Sequence, residues 1–390
     1  MASVVKFLKR TGEIEMSELV IKPVETRKER KQFLQLPSII YRDDDMWIPP
    51  LRANEKELVG FAKHPFHDFA TVQPFIALRD GEPVGRICAI VNPRHVKYQK
   101  EEVGFFGFFE SINDLAVSSG LFDAARDFLA SHGLNKMRGP LNPSLNYECG
   151  LLVDGFHSPP TFMMTYNRPY YVELFENYGL ETNQELVAFK FPVDGVPDLD
   201  PKVFKMVERG KERFNITLRK INVKDFKNEV RMFLDVYNRS MPGTWGFVPF
   251  TDDEMKHVAA SLRFLIAPEM TSVAMVDDKP IAALFGLLDY NPIIKQIGGK
   301  LFPFGILKLL LGKRKIKKMR VMSANVIPEY QRWGVGIIAL SRFEDEYEPW
   351  GLKDLEFSWV LKSNHLSYNT LTRGGAEPEK SWRIYDYEAK

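Results

Sequence analysis

Cysteine is nearly missing from this chain: Cys88 and Cys149 are the two among 390 residues. Two thiols build neither a disulfide framework nor a cysteine-based zinc site, and they suit a reducing cytosol. Histidine is scarce as well, seven in all, and only His64 and His67 in KHPFHD (63–68) stand close in sequence, beside Asp68. Pro65 makes that stretch read as a loop, so no metal is expected. A charge of one sign is lacking too: 53 basic residues face 51 acidic ones, a net +2. That balance argues against a chain built throughout for nucleic acid. No apolar run reaches the roughly 18 residues of a membrane-spanning helix. The start, MASVVKFLKRTGEIE, lacks the apolar core and cleavage site of a secretory signal. G-x-S-x-G, a full Walker loop and H-E-x-x-H are absent, which weakens hydrolase, NTPase and zinc-protease readings. What the chain does have is 45% apolar residues, enough for the cores of two or three cytoplasmic domains.

It also has an internal repeat. PFIALRDGEPVGRICAIV (74–91) and TSVAMVDDKPIAALFGLL (271–288) share one pattern: apolar strand, acidic turn, Pro, apolar strand. Asp80-Gly81 and Asp277-Asp278 mark the turns of two β-hairpins. Pro83 and Pro280 lie 197 positions apart, Trp47 and Trp245 198, and Asn167 and Asn364 197. A near-constant offset over three markers implies two homologous domains, 18–192 and 214–390. The segment 193–213 joins them as a Pro- and Asp-rich linker and a bridging helix. Each half reads β, helix, helix, hairpin, β, helix, β, helix, β. The class is α/β, with a layered, mixed sheet. Helices are expected over Lys224–Tyr237, Asp252–Phe264, Gly336–Tyr347 and His365–Arg373.

VMSANVIPEYQRWGVGIIAL (321–340) places a β-branched strand before a Pro-Glu turn and then Gln331, Arg332, Trp333, Gly334, Val335 and Gly336, with a helix behind them. Glycines let backbone N–H groups face outward at a helix start, an arrangement fit for a pyrophosphate, and Arg332 adds a cation.

With its flanking strand and helix, this stretch resembles the acyl-CoA loop of the GNAT superfamily of N-acyltransferases. EFSWVLKSNHLSYNTLTRGGAEP (356–378) resembles that family's next motif, and the hairpin before the loop matches as well. The resemblance implies two tandem GNAT-like domains, each a mixed, mainly antiparallel twisted sheet flanked by helices. In the first, AVSSGLFDAARDFL (116–129) stands where the loop belongs and keeps only Gly120, a degenerate copy. The implied reaction is attack of an amine on the thioester of acyl-CoA. Val326 and Ile327 amides would hold the pantetheine arm, residues 331–336 the pyrophosphate, and Asn364 the arm from the next strand end. A backbone donor near 287–289 would polarise the carbonyl. Asp289, Glu254 and Glu148 are candidates for the base. The family often has a Tyr seven residues after the Asn. Leu371 stands there, so Tyr368, one turn earlier, is the candidate acid.

Three further stretches bear on the acceptor. YNRSMPGTWGFVPFTDDE (237–254) falls where such domains bind it, and Asn238, Trp245 and Phe247 would line an apolar channel. MRGPLNPSLNYECGLLVDGF (137–156), with Asn146 and Glu148, is a long loop expected to help bind acceptor. KLFPFGILKLLLGKRKIKK (300–318) has seven Lys or Arg and no acid. Its apolar part, Leu301 to Leu311, and its basic tail, Lys313 to Lys318, have the composition of a segment that dips into an anionic membrane surface. This combination resembles the tandem GNAT proteins that include the bacterial ceramide synthases. It implies a lipid or long-chain amine, acylated by a cytoplasmic protein that sits peripherally on the inner leaflet. Two other readings stay open: an aminoacyl-tRNA-dependent transferase of peptidoglycan type, and a non-enzymatic acyl-CoA or membrane-binding protein.

Overall fold

A computed structural model describes residues 18–388. The opening MASVVKFLKRTGEIE, and the expectation attached to it, lies outside the described residues. The described residues divide into two compact units: 18–185 with 298–300 and 382–388, and 186–297 with 301–381. The sequence places the first boundary at 192 instead. The division falls earlier because one strand, Glu181–Pro192, runs unbroken through it, and because the first unit takes the end of the last strand.

The first unit contains β1 (Leu19–Pro23), α1 (Arg27–Ile40), α2 (Arg52–Leu58), β2 (Thr71–Arg79), β3 (Glu82–Val91), α3 (Pro93–Gln99), β4 (Val103–Ser111), α4 (Leu115–Ser131), β5 (Lys136–Gly139), β6 (Leu141–Asn142), β7 (Glu148–Cys149), β8 (Leu151–Asp154) and α5 (Tyr171–Tyr178). The strand β9 (Glu181–Pro192) leads into the second unit. There follow α6 (Pro201–Arg213), β10 (Thr217–Arg219), α7 (Phe226–Ser240), α8 (Asp252–Leu262), β11 (Thr271–Val276), β12 (Lys279–Leu288), α9 (Asn291–Gln296), α10 (Gly305–Gly312), β13 (Lys318–Val326), α11 (Val335–Ser341), α12 (Glu344–Trp350), β14 (Asp354–Leu361), α13 (His365–Arg373) and β15 (Glu377–Glu388).

In the first unit the strand order is β1-β2-β3-β4-β5-β15; in the second it is β9-β14-β13-β12-β11-β10. Within each, the hairpin strands pair antiparallel and one pair is parallel: β4 with β5, and β13 with β14. Both hairpins turn through two residues of positive φ: Asp80 and Gly81 at 52° and 83°, Asp277 and Asp278 at 47° and 59°. Those are the angles of a type I′ turn, which the right-handed twist of the strands favours. Each hairpin slips register at the same point, between Ala77 and Leu78 and between Ala274 and Met275. The offset of 197 thus holds for an irregularity as well as for the residues.

The first core is aromatic. Phe122 of α4 stacks on Phe109 of β4 with centroids 4.8 Å apart, and Phe175 of α5 meets both edge-on. Fully burying such a ring contributes roughly 1.5–3 kcal/mol. Beside it, Arg86 lies between Glu55 at 2.8 Å and Glu110 at 3.8 Å, and the Tyr41 and Tyr171 hydroxyls donate to Glu110. In the second unit α11 buries Val335, Ile338 and Ala339 against β11, β12 and β13 and packs on α6. The helix expected over 336–347 is two helices. Between them Phe343 turns into the core, and the Arg342 guanidinium donates to the Glu269 carbonyl.

Candidate functional site

The parallel pairing of β13 with β14 is short. Lys318 to Val321 face Asp354 to Phe357, and there it stops, although the strands run on to Val326 and Leu361. A buried clasp holds the paired end. Lys318 Nζ lies 2.8 Å from Glu356 Oε2, Ser358 Oγ donates to Glu356 Oε1 at 2.6 Å, and Arg320 Nε donates to Ser358 Oγ at 2.8 Å. Burial works against the Lys318 charge, but Glu356 outweighs it and raises its pKa. Past the clasp the strands part, and a slot opens.

Backbone alternation decides which groups face that slot. The Ile327 amide donates to the Ile281 carbonyl at 3.0 Å. In an antiparallel ladder bonded and non-bonded pairs alternate. Val326, opposite Ala282, therefore turns its N–H and C=O away from β12, towards the slot. Its carbonyl accepts from Gln331 Nε2 at 3.0 Å. Of the two amides expected to hold a pantetheine arm, Ile327 is already engaged and Val326 points the right way. Gln331 braces this strand end rather than aiming its side chain at a pyrophosphate. On the other wall, past Leu361, Asn364 caps α13 by accepting from the Ser367 amide at 3.2 Å.

Beyond β13 the chain makes a tight turn, Pro328–Trp333, and Gly334 takes φ 72°, a left-handed angle that costs most side chains roughly 1–2 kcal/mol. The first bonds of α11 run from the Ile337 and Ile338 amides to the Gly334 carbonyl, so the amides of 334–336 lie outside the helical ladder. No side chain caps this helix. Arg332 is exposed beside it, and Trp333 stacks on Phe214, centroids 4.2 Å apart and 27° between planes. A depression at this point is lined by Met206, Arg213, Phe214, Arg332, Trp333 and Gly334. Arg213 and Phe214, at the end of α6, were not singled out in the sequence. Their only signal there is a basic last turn followed by an aromatic residue.

The first unit has the same elements in another state. Pairing of β4 with β5 also stops early, at Phe105 and Arg138. There the gap is filled: Asn142 Oδ1 accepts from the Phe108 amide at 2.6 Å, and a Cβ on Gly107 would collide with the Leu141 carbonyl. The start of α4 is filled as well, since Asp114 Oδ1 accepts from the Ala116 and Val117 amides while Oδ2 meets Arg79 at 2.7 Å. Burial pushes the Asp114 carboxyl up, but Arg79 and the two amides together bring it below its ordinary value. Gly120 lies inside α4, where a Cβ would collide with Ile21, so it serves close packing.

Of the three candidate carboxylates, Asp289 and Glu254 belong to the second unit and Glu148 to the first. Asp289 sits beside Lys318, at the closed end of β13, roughly 26 Å of strand away from Val326. It accepts from the Asn291 amide at 3.2 Å, just before α9. Residues 287–289 lie at that same end, opposite Lys318–Arg320 of β13, and the Asp289 amide donates to the Lys318 carbonyl at 2.9 Å. Glu254 is buried in a capping box, accepting from the Thr251 amide at 2.9 Å. Glu148 is in the first unit, on β7 opposite Asn142, and the neighbouring Asn146 amide donates to Ser144 Oγ at 3.3 Å. Tyr368 lies one turn past Asn364 with its ring edge on Phe189, 5.0 Å away.

The acceptor region brings aromatic rings together. Tyr237 contacts Phe247 at 5.6 Å and Phe250 at 5.7 Å, and Phe233 meets Phe285 of β12 at 5.8 Å. Phe247 is core, whereas Trp245 and Phe250 are half-buried. On the same helix, Asn238 holds a buried Oδ1 with no hydrogen-bond partner among the described residues, and Ser240 Oγ donates to Asn325 Oδ1 of β13 at 3.3 Å. Among the described residues no group of carboxylates, His and Cys could hold a metal.

In the stretch 301–318, α10 is anchored by Leu309 and leaves its other apolar side chains outside. Phe302 is 79% exposed, Phe304 69% and Leu311 72%, with Ile306, Leu307 and Leu310 exposed beside them. Lys308, Arg314 and Lys315 are exposed as well. The basic tail is not wholly outward: Lys313 Nζ donates to the Ile266 carbonyl at 2.6 Å, and Lys318 belongs to the clasp. No described helix is long and apolar enough to cross a membrane.

No family model matches the chain. It is 34% identical over 366 residues to Protein YghO of Escherichia coli (strain K12), covering 92% of this chain and 93% of that one. It is 31% identical over 379 residues to the bacterial ceramide synthase of Caulobacter vibrioides (strain NA1000 / CB15N), covering 95% and 97%. Among solved structures, a tandem GNAT protein from the clavulanic acid biosynthesis pathway aligns with a TM-score of 0.56 at 10% identity, over 96% of this chain and 99% of that one. A GCN5-related N-acetyltransferase from Sphaerobacter thermophilus aligns at 0.51 and 11% identity, over 95% of each. At such identity the structures show the fold alone.

Proposed function

Because the chain belongs to the tandem-domain GNAT N-acyltransferases, the family of the bacterial ceramide synthase, we propose that it moves a long acyl group from coenzyme A to a primary lipid or long-chain amine at an anionic membrane surface. The amine nitrogen attacks the thioester carbonyl, the N–C bond forms, the C–S bond breaks, and the amine proton is lost. The second unit carries the donor. The Val326 N–H meets the pantetheine arm in the slot, and the amides of 334–336 with Arg332 meet the pyrophosphate. Preorganised donors of this kind cost no rearrangement at the moment of reaction. The amine enters from the aromatic side, where an N–H donor satisfies the Asn238 carbonyl oxygen that has no hydrogen-bond partner among the described residues. Tyr368 returns a proton to the leaving thiolate. Asp289, Glu254 and Glu148 are the candidate bases for the amine proton, each tested by its amide variant.

The observation that carries the lipid reading is the exposed stretch 302–311, in the same unit as the slot. Six large apolar side chains in ten residues form a patch that monomeric proteins seldom leave to water. Lys308, Arg314 and Lys315 set it among cations, which suits anionic headgroups at about 1 kcal/mol each. The test is acyl transfer from palmitoyl-CoA and from acetyl-CoA to a long-chain amino alcohol, with and without phosphatidylglycerol vesicles. Palmitoyl transfer is expected to dominate and to rise several-fold with vesicles. The double variant Phe302→Ser/Leu311→Ser is expected to lose the rise and keep the vesicle-free rate. Equal use of acetyl-CoA, or indifference of the wild type to vesicles, would sink the lipid reading.

A further inference from the structure

The first unit carries a charged face that the reaction does not use. On α1, Arg27, Lys28, Arg30 and Lys31 are exposed. The one acid of that helix, Glu29, is turned inward, where it meets Lys22 Nζ at 2.7 Å and accepts from the Thr26 amide at 2.9 Å. Four cations in the first five positions oppose the positive end of the helix dipole, and Arg27 repels Arg30 and Lys31 one turn on. This placement works against the helix, so the fold does not account for it. The Arg30 guanidinium lies 5.4 Å from the centre of the Phe61 ring, and the Phe61 amide donates to the Lys56 carbonyl at 2.8 Å, which brings the end of α2 beside α1. Lys56 and Lys63 are exposed on either side of Phe61 in sequence, and Arg52 is exposed one turn before Lys56. On α2, Glu55 is buried against Arg86 and Glu57 is half-buried. Glu25, ahead of the helix cap, is the exposed acid nearest to Arg27 in sequence. None of Arg27, Arg30, Lys31, Arg52, Lys56 and Lys63 is paired with a carboxylate among the described residues. The matching helix of the second unit, α7, is mixed instead: Asp235 lies among its cations and meets Arg239 at 3.3 Å.

We propose that Arg27, Arg30, Lys31, Arg52, Lys56 and Lys63 bind the headgroups of an anionic phospholipid surface, so that the first unit serves as an electrostatic membrane anchor. The inference rests on the membrane reading above and adds a second contact to it. One apolar signal holds a protein to a bilayer only marginally, and a polybasic patch is a second that makes the attachment stable. The chain itself links the two. Gly299, which belongs to the first unit, is clipped to the start of α2: the Arg52 amide donates to its carbonyl at 3.1 Å, and a Cβ there would collide with the Pro50 carbonyl. Phe302, the first exposed ring of 302–311, follows three residues later. A nucleic acid would answer the cations and leave those rings in water; an anionic bilayer answers both. A unit whose helix start is already occupied by Asp114 thus keeps a task that needs no open amides.

The test is co-sedimentation of the full chain with phosphatidylcholine vesicles, with and without phosphatidylglycerol, at low and at high salt. The variant Arg27→Gln/Lys31→Gln/Arg52→Gln/Lys56→Gln removes four exposed cations that make no side-chain hydrogen bond or ion pair among the described residues, and circular dichroism checks its fold. Each cation near an anionic surface is worth about fivefold in affinity. The variant is therefore expected to bind phosphatidylglycerol vesicles at least about tenfold more weakly at low salt, with the gap closing at high salt. Its binding to phosphatidylcholine alone and its acyl transfer without vesicles are expected to match the wild type. The two double variants, one per helix, are each expected to show about half of that loss on a logarithmic scale, and they carry the test if the quadruple variant unfolds. Wild-type affinity of the folded variants for phosphatidylglycerol vesicles, or an equal loss on both kinds of vesicle, overturns the inference and leaves the membrane reading standing. Indifference of the wild type to both kinds of vesicle overturns both, and binding of duplex DNA that the variant loses would then hand the face to nucleic acid.

Discussion

The two units build one scaffold and end its parallel strand pair differently. In the second, β13 and β14 part, no side chain caps α11, and Gly334 turns the chain so that three amides stay outside the ladder. In the first, the same parting is closed by Asn142 and the helix start is occupied by Asp114, the protein's own anion. The two units thus differ in whether these backbone donors are satisfied within the protein.

Three substitutions test that contrast. The largest effect is expected from Gly334→Asp, which gives the second loop the carboxylate the first unit already has. Aspartate tolerates left-handed angles better than most residues, so the fold should persist. Palmitoyl-CoA affinity should fall at least a hundredfold by calorimetry; unchanged affinity would mean that the open amides are not the binding site. A smaller effect is expected from Asn142→Ala, which strands the Phe108 amide. Urea unfolding should show about 1–3 kcal/mol of lost stability, with acyl-CoA stoichiometry still one per chain. A stoichiometry of two would show that the first unit is a masked site rather than a lost one. The smallest effect concerns the penultimate residue of each parting strand, Glu110 in β4 and Asn325 in β13. Burial, opposed by Arg86, Tyr171 and Tyr41, lifts the Glu110 carboxyl from 4.5 to about 7. A folded pKa above the unfolded one means stability is fullest below the unfolded value and declines as pH rises towards about 7. Between pH 5 and pH 7.5 the wild type should lose more unfolding free energy than Glu110→Gln, whose side chain, like Asn325, does not titrate. Identical losses would show that Glu110 ionises without penalty.

The parts legible in the sequence are those written in consecutive residues. The Asp-Gly and Asp-Asp hairpins, the glycines after Arg332 and the Asn364 cap each need only neighbours to take shape, and the offset of 197 ties the two sets together. The tandem fold followed from these. The site was legible in one wall only. Asp289 looked close to the chemistry because it ends the hairpin, but strand register puts it at the clasped end. Glu254 was a candidate base, and a capping box four residues long, 251–254, engages it. The first unit's plug depends on Asn142 meeting Phe108 across 34 positions, and the second wall of the depression on Phe214 meeting Trp333 across more than a hundred. Contacts at such separations leave no local pattern to read.

The first unit includes residues from Trp382 onward. Trp382 is wholly buried and its indole N–H donates to the Thr165 carbonyl at 3.0 Å, while Tyr385 pairs with Gly139. A ribosome that has finished Glu185 still lacks the sixth strand of that sheet and must add nearly two hundred residues to supply it. At about 5–20 residues per second, that is roughly 10–40 s during which the half made first waits, its edge strand unpartnered, for the half made last. Synthesis order and folding order are therefore uncoupled in this protein, and a stop codon at Trp382 would injure the first unit.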